Sequence, residues 1–344
     1  MVLQPSSRKH RKKMKTSLAF FCLIVGIGAM GRIGAQPIDI RVHDPVLIRH
    51  DSVYYLFHTG FGIAQWRSAD LRHWERLEPV FPEAPAWTER VVPGFRQRNH
   101  IWAPDILFFR DRYYLFYSVS AFAKNTSAIG VATNRTLDPS DSAYRWEDHG
   151  PIVRSIPGRD MWNAIDPNVV FDEQGHGWLS FGSFWLGIKL VRLDSTLLRL
   201  AEPQEWYTIA ARPRTMTLDE RDPGDGAIEA PFIFRKNGFY YLFVSWDYCC
   251  RGVRSNYKIM VGRARDIRGP YVDRLGRDLR QGGGTLVLEG NERWPGVGHC
   301  AVYTFDGVDY LIFHGYDRED GGRPKLWILP LRWDEEGWPV ASLE

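Results

Sequence analysis

Cysteine is scarce in this chain of 344 residues, which contains only four. So few cysteines over that length do not form a disulfide framework, and no two of them have the spacing of a zinc site. Cys22 lies near the N-terminus, which leaves the adjacent pair Cys249 and Cys250 together with Cys300. From the sequence alone, the adjacent pair is either a vicinal disulfide or two thiols.

The sequence also lacks an apolar run long enough to be read as a membrane span. The run near the N-terminus, residues 17–30, has 14 residues, whereas a span takes about 20. It follows basic residues between positions 8 and 15 and precedes Gly34 and Ala35, which is the order of a secretory signal. We therefore predict a signal peptide over residues 1–35, secretion to the extracellular or periplasmic space, and no membrane attachment after cleavage.

Neither sign of charge is in large excess. Lys and Arg total 44 against 41 Asp and Glu, and removal of residues 1–35 leaves 37 against 41. A mature chain with a net charge near −4 argues against nucleic acid or an anionic membrane surface as a partner.

Apolar residues at helical spacing are scarce after residue 36, which argues against a helical fold. Short aromatic and β-branched runs recur instead, separated by Gly, Asp and Asn turn signals. Five times, a polar anchor residue precedes an apolar strand, a turn and an aromatic strand. These anchors lie at spacings of 61, 61, 63 and 70 residues, and they are Asp44, Asp105, Asp166, Glu229 and His299.

A period of about 60 residues leaves room for four short strands, as in the blade of a β-propeller. We therefore predict an all-β fold, a five-bladed β-propeller that forms one domain over residues 36–344. A two-sheet sandwich is the alternative, but it would not require the same anchor at the start of each unit.

Equivalent positions of propeller blades converge around the central axis at one end, so the five anchors are expected to lie close together. Carboxyl groups in one depression cannot all ionise freely, which is how acid and base roles separate. Each Asp beside a proline can alternatively close a turn. Asp105 follows its proline instead of preceding it, and a one-residue offset turns a strand side chain to the other face.

Other residues near the anchors also have two interpretations. His299 is either a core histidine or a ligand of a metal or water. Four aromatic residues are expected mainly to pack the blades, but flat rings near carboxyl groups also suit the apolar faces of sugars. These are Trp102, Phe122, Phe184 and Trp185.

Eight motifs occur in order between Val42 and Trp338, and the ordered set is far more specific than any member. They are V-H-D-P-V at 42–46, I-W-A-P-D-I at 101–106, N-T-S-A-I-G at 125–130, W-N-A-I-D-P-N at 162–168, F-G-S-F-W at 181–185, I-E-A-P-F at 228–232, C-C at 249–250 and G-H at 298–299. With them, the sequence resembles the endo-acting 1,5-α-L-arabinanases of glycoside hydrolase family 43.

The resemblance implies a five-bladed propeller that cleaves internal α-1,5 bonds of arabinan, a polysaccharide of plant pectin, with inversion. It implies that Asp44 is the general base, Glu229 the general acid, and Asp166 the residue that holds and tunes the acid. His299 resembles the histidine beside a central metal ion, calcium surrounded mainly by water. The predicted substrate-binding residues are Trp102, Phe122, Asn163, Ser183, Phe184 and Trp185.

Two departures from the family pattern lie beside the predicted metal site. Cys300 follows His299 where the family usually has Asn, and Val297 lies in a turn that is usually Gly-Pro-Gly-His. The rivals to an endo-acting monomer are an exo-acting arabinofuranosidase or β-xylosidase of the same family and a non-catalytic carbohydrate-binding propeller. Inversion requires the carboxyl groups of Asp44 and Glu229 to lie roughly 6.5 to 9.5 Å apart.

Overall fold

The computed structural model describes residues 36–95, 99–215, 217, 219 and 221–344. These residues form a five-bladed β-propeller, so the predicted all-β fold is confirmed and the sandwich is excluded. The predicted signal peptide, residues 1–35, lies outside the described residues. No helix in the described part of the chain has the length and apolar character that a membrane crossing requires.

The first strand of the chain, β1 (Ile38–Arg41), belongs to the fifth blade. Blade 1 contains β2 (Val46–His50), β3 (Val53–His58), β5 (Ala64–Ser68) and β6 (Glu75–Arg76). The short strand β4 (Gly60–Phe61) pairs instead with the first strand of blade 2. Blade 2 contains β7 (His100–Phe109), β8 (Arg112–Ser120), β9 (Ser127–Asn134) and β10 (Glu147–Ser155).

Blade 3 contains β11 (Asn168–Phe171), β12 (Gly177–Phe181), β13 (Ile188–Arg192) and β14 (Trp206–Ala210). Blade 4 contains β15 (Ile228–Lys236), β16 (Phe239–Trp246), β17 (Lys258–Ala264) and β18 (Thr285–Glu289). Blade 5 contains β19 (Val297–Phe305), β20 (Val308–Asp317), β21 (Arg323–Pro330) and β1. The remaining elements are a hairpin of β22 (Arg332–Trp333) and β23 (Pro339–Val340), the helix α1 (Thr88–Val91), and 3₁₀ turns at Gly252–Arg254, Leu279–Gln281 and Arg318–Asp320.

The aromatic second strand of each repeat is buried because it lies between neighbouring blades. In β16, Tyr240 and Leu242 pack in one hydrophobic cluster, whereas Tyr241 and Phe243 pack in another. Side chains alternate between the faces of a strand, so a strand covered on both faces is apolar throughout. This explains why the repeats read as continuous aromatic runs instead of alternating polar and apolar residues.

The ring closes in two ways. The first strands of the blades, β2, β7, β11, β15 and β19, contact one another in a closed series. In addition, β1 pairs with β21, so residues from both ends of the described chain complete blade 5. Asp39 of β1 forms ion pairs with Arg323 and Lys325 of β21. Closure of the ring places the first strands of all five blades around one axis.

Candidate active site

Each blade begins with a residue in the left-handed backbone region, which side-chain-bearing residues rarely adopt. We call these five residues, which precede the first strand or lie at its start, the anchor positions. They have φ angles between 37° and 59° and are Asp44, Ala103, Asp166, Ala230 and His299. Strain of this kind persists only where surrounding structure holds it.

Polar side chains from the preceding blades supply that support. The N–H of Ala103 donates to Thr59 Oγ1 at 2.7 Å, and the N–H of Asp44 donates to His314 Nδ1 at 3.1 Å. The remaining anchor N–H groups donate to Ser118 Oγ, Asp166 Oδ2 and Ser245 Oγ. The repeating bond fixes the same backbone conformation in every blade, whichever side chain the anchor carries.

Two of the sequence-predicted anchors are therefore corrected. In blade 4 the anchor position is Ala230, and Glu229 is the residue before it. In blade 2 the anchor position is Ala103, and Asp105 lies two residues further along β7. Asp105 does not line the groove described below; its Oδ2 accepts hydrogen bonds from the N–H of Val169 and from Asn168 Nδ2. It ties blade 2 to blade 3 instead of joining the cluster.

Burial raises the pKa of Asp105 to about 7, although hydrogen bonds oppose the shift. The folded protein then holds a proton that the unfolded chain releases near pH 4, so unfolding free energy falls as pH rises from 4 to about 7. We expect Asp105→Asn to remove this fall, of roughly 2–4 kcal/mol, and to leave activity unchanged. The amide oxygen of Asn can accept both bonds that Oδ2 accepts.

Urea unfolding at pH 5 and pH 8 checks this prediction. The exposed Asp51→Asn is the control, and it should follow the wild type at both pH values. An Asp105→Asn variant with the same pH dependence as the wild type would contradict the assignment.

A groove of about 1370 Å³ crosses the end of the propeller where the anchors meet. Asp44, Asp166, Glu229 and His299 all line it, although they are spread over more than 250 residues of sequence. The predicted substrate-binding residues line it as well, namely Trp102, Phe122, Asn163, Ser183, Phe184 and Trp185.

These substrate-binding candidates differ in what they can offer a ligand. Phe122 is 67% exposed and presents a free ring face, whereas Trp185 is only 3% exposed and mainly packs. Asn163 is buried, and its Oδ1 accepts a hydrogen bond from the Ser127 hydroxyl at 2.6 Å. Ser183 donates to Glu229, so its role is tied to the carboxyl cluster. Their contacts with substrate stay a prediction.

Asp44 is buried, and both oxygens of its carboxyl group have close polar partners. Its Oδ2 accepts from the hydroxyl of Thr59 at 2.5 Å, and its Oδ1 lies 2.9 Å from His43 Nδ1 and 3.0 Å from His299 Nδ1. Burial alone would raise the pKa of Asp44, but the charges and hydrogen bonds of His299 and His43 hold it well below its usual value. Asp44 is therefore a carboxylate that accepts hydrogen bonds.

The partner histidine is charged. Although burial opposes it, the Asp44 carboxylate raises the pKa of His299 to about 9. An imidazolium and a carboxylate thus pair at the centre of the groove at neutral pH, and each stabilises the charge of the other.

Glu229 and Asp166 form the second half of the site. Glu229 accepts hydrogen bonds from the hydroxyls of Ser183 at 2.7 Å and Tyr257 at 2.6 Å, one on each carboxyl oxygen. Burial raises the pKa of Asp166 well above its usual value, and the charges of Glu229 and Asp44 add to the shift. The negative charges of Glu229 and Asp44 thus make Asp166 harder to ionise than an exposed carboxyl group. The groove therefore holds Asp44, whose pKa is lowered, together with Asp166, whose pKa is raised.

Several residues of this site were missed from the sequence. Thr59, Tyr257, Tyr316 and His314 contact the carboxyl groups or their partners but follow no repeat signal. His43 was missed as well, although its position before Asp44 in the V-H-D-P-V motif is a signal that could have found it.

Tyr257 leads to a prediction about Gly298. A Cβ at position 298 would lie 2.2 Å from the Tyr257 ring, which must then move away from Glu229. We expect Gly298→Ala to lower kcat about 10-fold, comparable to the loss of one hydrogen bond in the site. Tyr257→Phe, which keeps the ring and removes the hydroxyl, should show a similar loss with less destabilisation. A Gly298→Ala variant with the wild-type kcat would show that the ring position does not matter.

The predicted calcium site is not assembled by the protein alone. Calcium takes six to eight oxygen ligands, and His299 has one carboxylate beside it, that of Asp44. Among the described residues, the groups of three close ligand atoms are His43 with Asp44 and His314, and His43 with the adjacent cysteines; neither includes His299. A calcium ion beside His299 would therefore take most of its ligands from water, as the resemblance implies, and this site stays a prediction.

The cysteines take definite states in the structure. Cys249 and Cys250, which the sequence left as either a bridge or two thiols, form a vicinal disulfide in the groove wall. Cys300 is a buried free thiol, and burial raises its pKa. A thiol kept neutral in this way is a poor metal ligand.

Comparison with known proteins identifies the family. Residues 35–339 match the model of the glycosyl hydrolases family 43. The chain belongs to glycoside hydrolase family 43. This family 43 enzyme is accordingly a glycoside hydrolase, and the groove with its paired carboxyl groups is its candidate active site.

Similar proteins cover nearly all of this family 43 enzyme. The extracellular exo-α-(1→5)-L-arabinofuranosidase of Cellvibrio japonicus is 48% identical over 339 residues, which are 98% of this chain and 95% of that protein. The extracellular endo-α-(1→5)-L-arabinanase 1 of Bacillus subtilis is 40% identical over 302 residues, 87% of each chain. The structure of the Cellvibrio cellulosa α-L-arabinanase complexed with arabinohexaose superposes with a TM-score of 0.86 at 50% identity, over 88% of this chain and 96% of that one.

Proposed function

We propose that this family 43 enzyme hydrolyses α-1,5-L-arabinofuranosidic bonds of arabinan with inversion. The observation that carries the proposal is the groove itself, which is lined by the Asp44 carboxylate paired with His299, by Glu229 hydrogen-bonded to two hydroxyls, and by Asp166, whose pKa is raised. Inverting glycosidases require this division between a base and an acid. The substrate follows from the similar proteins of Cellvibrio and Bacillus, which are named for arabinan bonds.

In the proposed reaction, Glu229 donates a proton to the glycosidic oxygen as the bond to the anomeric carbon breaks. Asp44 takes a proton from the water that attacks the opposite face of that carbon. The imidazolium of His299 keeps Asp44 ionised, and the hydroxyl of Thr59 fixes the orientation of its carboxylate. Asp166, whose N–H bond from Ala230 ties it to the strand that carries Glu229, holds and tunes the acid, and Glu229 regains its proton from solvent while Asp44 releases one.

We propose endo action as the main mode, in agreement with the sequence resemblance. Exo action is the second candidate, because the Cellvibrio japonicus relative at 48% identity is named as an exo-acting enzyme. We also propose that the enzyme is secreted, since the Cellvibrio japonicus and Bacillus subtilis relatives are both named extracellular and residues 1–35 have the order of a signal. As in the sequence analysis, a monomer is proposed.

Product sizing from linear arabinan tests these proposals together. Endo action predicts mixed short oligomers from the earliest time points, whereas exo action predicts one small product and a slow fall in polymer length. Nuclear magnetic resonance of the first product determines the anomer, and retention of configuration would overturn the inverting mechanism. Binding of arabinan without release of reducing ends would favour a non-catalytic propeller.

A further inference from the structure

The vicinal disulfide lies in the groove wall beside the general base. The Cys250 side chain is exposed to the groove, and its Sγ lies 3.8 Å from His43 Nε2 and 3.9 Å from the Tyr316 hydroxyl. Nothing in the acid and base chemistry proposed above requires two sulfur atoms at this place.

A continuous series of hydrogen bonds connects this disulfide to Asp44. The N–H of Cys250 donates to the Tyr316 oxygen at 2.8 Å, the Tyr316 hydroxyl and His43 Nε2 are 2.6 Å apart, and His43 Nδ1 lies 2.9 Å from Asp44 Oδ1. A carboxylate can only accept, so Nδ1 of His43 carries the proton that faces Asp44. Tyr316 is buried, which leaves its hydroxyl few alternative partners.

The ring of His43 is also held by packing. It stacks on His314 with ring centroids 3.9 Å apart, and His314 Nδ1 in turn accepts the N–H of Asp44. The disulfide sulfur and Tyr316 therefore contact the outer edge of a ring whose inner edge touches the base.

The backbone of Cys250 explains why a covalent bond is useful here. Its φ is 66°, in the left-handed region that a residue with a side chain rarely adopts. A bond between adjacent cysteines restricts the backbone between them, so the bridge holds the N–H of Cys250 toward Tyr316. Reduction frees this backbone to leave the left-handed region.

We propose that the Cys249–Cys250 disulfide is a positioning element for the general base, acting on Asp44 through Tyr316 and His43. The inference rests on the proposed function, because it assigns a partner to the base of that reaction. Tyr316 and the disulfide are positioning residues, and their loss should lower the rate of the chemical step more than substrate binding.

The test measures kcat and KM on a linear arabino-oligosaccharide before and after treatment with a water-soluble phosphine. The phosphine converts the disulfide to two thiols and takes up the oxygen of one water molecule. Alkylation of the folded protein followed by mass spectrometry confirms reduction, since Cys250 is exposed and Cys300 is buried. We expect kcat to fall about 10-fold, as for loss of one hydrogen bond to a charged group, with KM changed by less than about twofold.

Three variants separate this role from a general effect. Tyr316→Phe should reproduce the loss of kcat, whereas Tyr113→Phe, which removes another tyrosine–histidine bond, that to His50 outside the groove, should retain the wild-type kcat. The double variant Cys249→Ser with Cys250→Ser should be slow and insensitive to phosphine. If that variant fails to fold, the Tyr316→Phe and phosphine measurements still decide.

The positioning role would be overturned if the reduced wild type and the Tyr316→Phe variant both had the kcat of the untreated wild type. A rise of KM by about 10-fold with an unchanged kcat would also overturn it and would indicate a contact with the sugar instead. If the wild type cleaves arabinan in an Asp44-dependent way and only these changes have no effect, the inference fails and the proposed function stands. If the wild type cleaves no arabinan, the proposed function itself fails.

Discussion

Changing Glu229 to glutamine is expected to lower kcat on linear arabino-oligosaccharides by about 10²–10⁴, the usual contribution of a positioned general acid. Glutamine has the shape of the native side chain and stays within reach of the Ser183 and Tyr257 hydroxyls, but it has no proton to give at neutral pH. The leaving arabinose oxygen must then depart as an alkoxide or take its proton from water. The loss is expected in kcat, with a small change in KM.

The choice of leaving group makes this prediction specific to an acid. On an oligosaccharide with an activated aryl leaving group, which departs without protonation, Glu229→Gln should recover most of the lost rate. Glu335→Gln, on the exposed hairpin of β22 and β23, is the control and should behave as the wild type. Equal losses on the two substrates would remove Glu229 from the role of acid.

Changing Asp44 to alanine is expected to lower kcat by a similar factor of about 10²–10⁴, but on both kinds of substrate. Water must attack whatever the leaving group is, so an activated substrate does not replace the missing base. Azide, a nucleophile that needs no deprotonation, should occupy the vacated space, form a bond to the anomeric carbon and restore part of the rate. The azide product should have the inverted configuration.

Asp105→Asn is the matched control for the base variant. It also removes a carboxyl group from the first strand of a blade, but one that lies outside the groove. We expect that variant to keep its activity, and a wild-type rate in Asp44→Ala would end the assignment of the base. Comparable losses in both variants would instead indicate a structural effect of removing any of these carboxyl groups.

The repeat in the sequence was sufficient to predict the fold, because each blade carries its own turn and aromatic strand at a nearly constant period. It also predicted Asp44 and Asp166, where Asp precedes proline at the anchor position. The offset in blade 4 was not visible. An Ala between Glu229 and its proline reads as a harmless spacer until the φ angle of Ala230 shows which residue is the anchor.

The supporting residues could not be predicted for a different reason. Thr59, Tyr257 and Tyr316 reach the carboxyl groups or their partners from loops and strands whose relation depends on how adjacent blades pack. The sequence did not decide between a disulfide and two thiols at Cys249 and Cys250 for a local reason. Adjacent cysteines bridge only where the backbone of one of them can turn, as Cys250 does at φ 66°. Periodicity determines which strand a residue occupies, but it does not determine side-chain contacts between blades.

The pairing of β1 with β21 sets a limit on where the predicted signal peptide can end. A cut after Ala35 leaves only Gln36 and Pro37 ahead of the strand, whereas a cut four residues later would remove Ile38 and Asp39. The second product would lose the pairing of Ile38 with Leu326 and the ion pairs of Asp39, which leaves the edge of β21 exposed to other chains. The predicted cleavage therefore leaves β1 whole only within about two residues after Ala35, and a later cut exposes an edge strand that can pair with other chains.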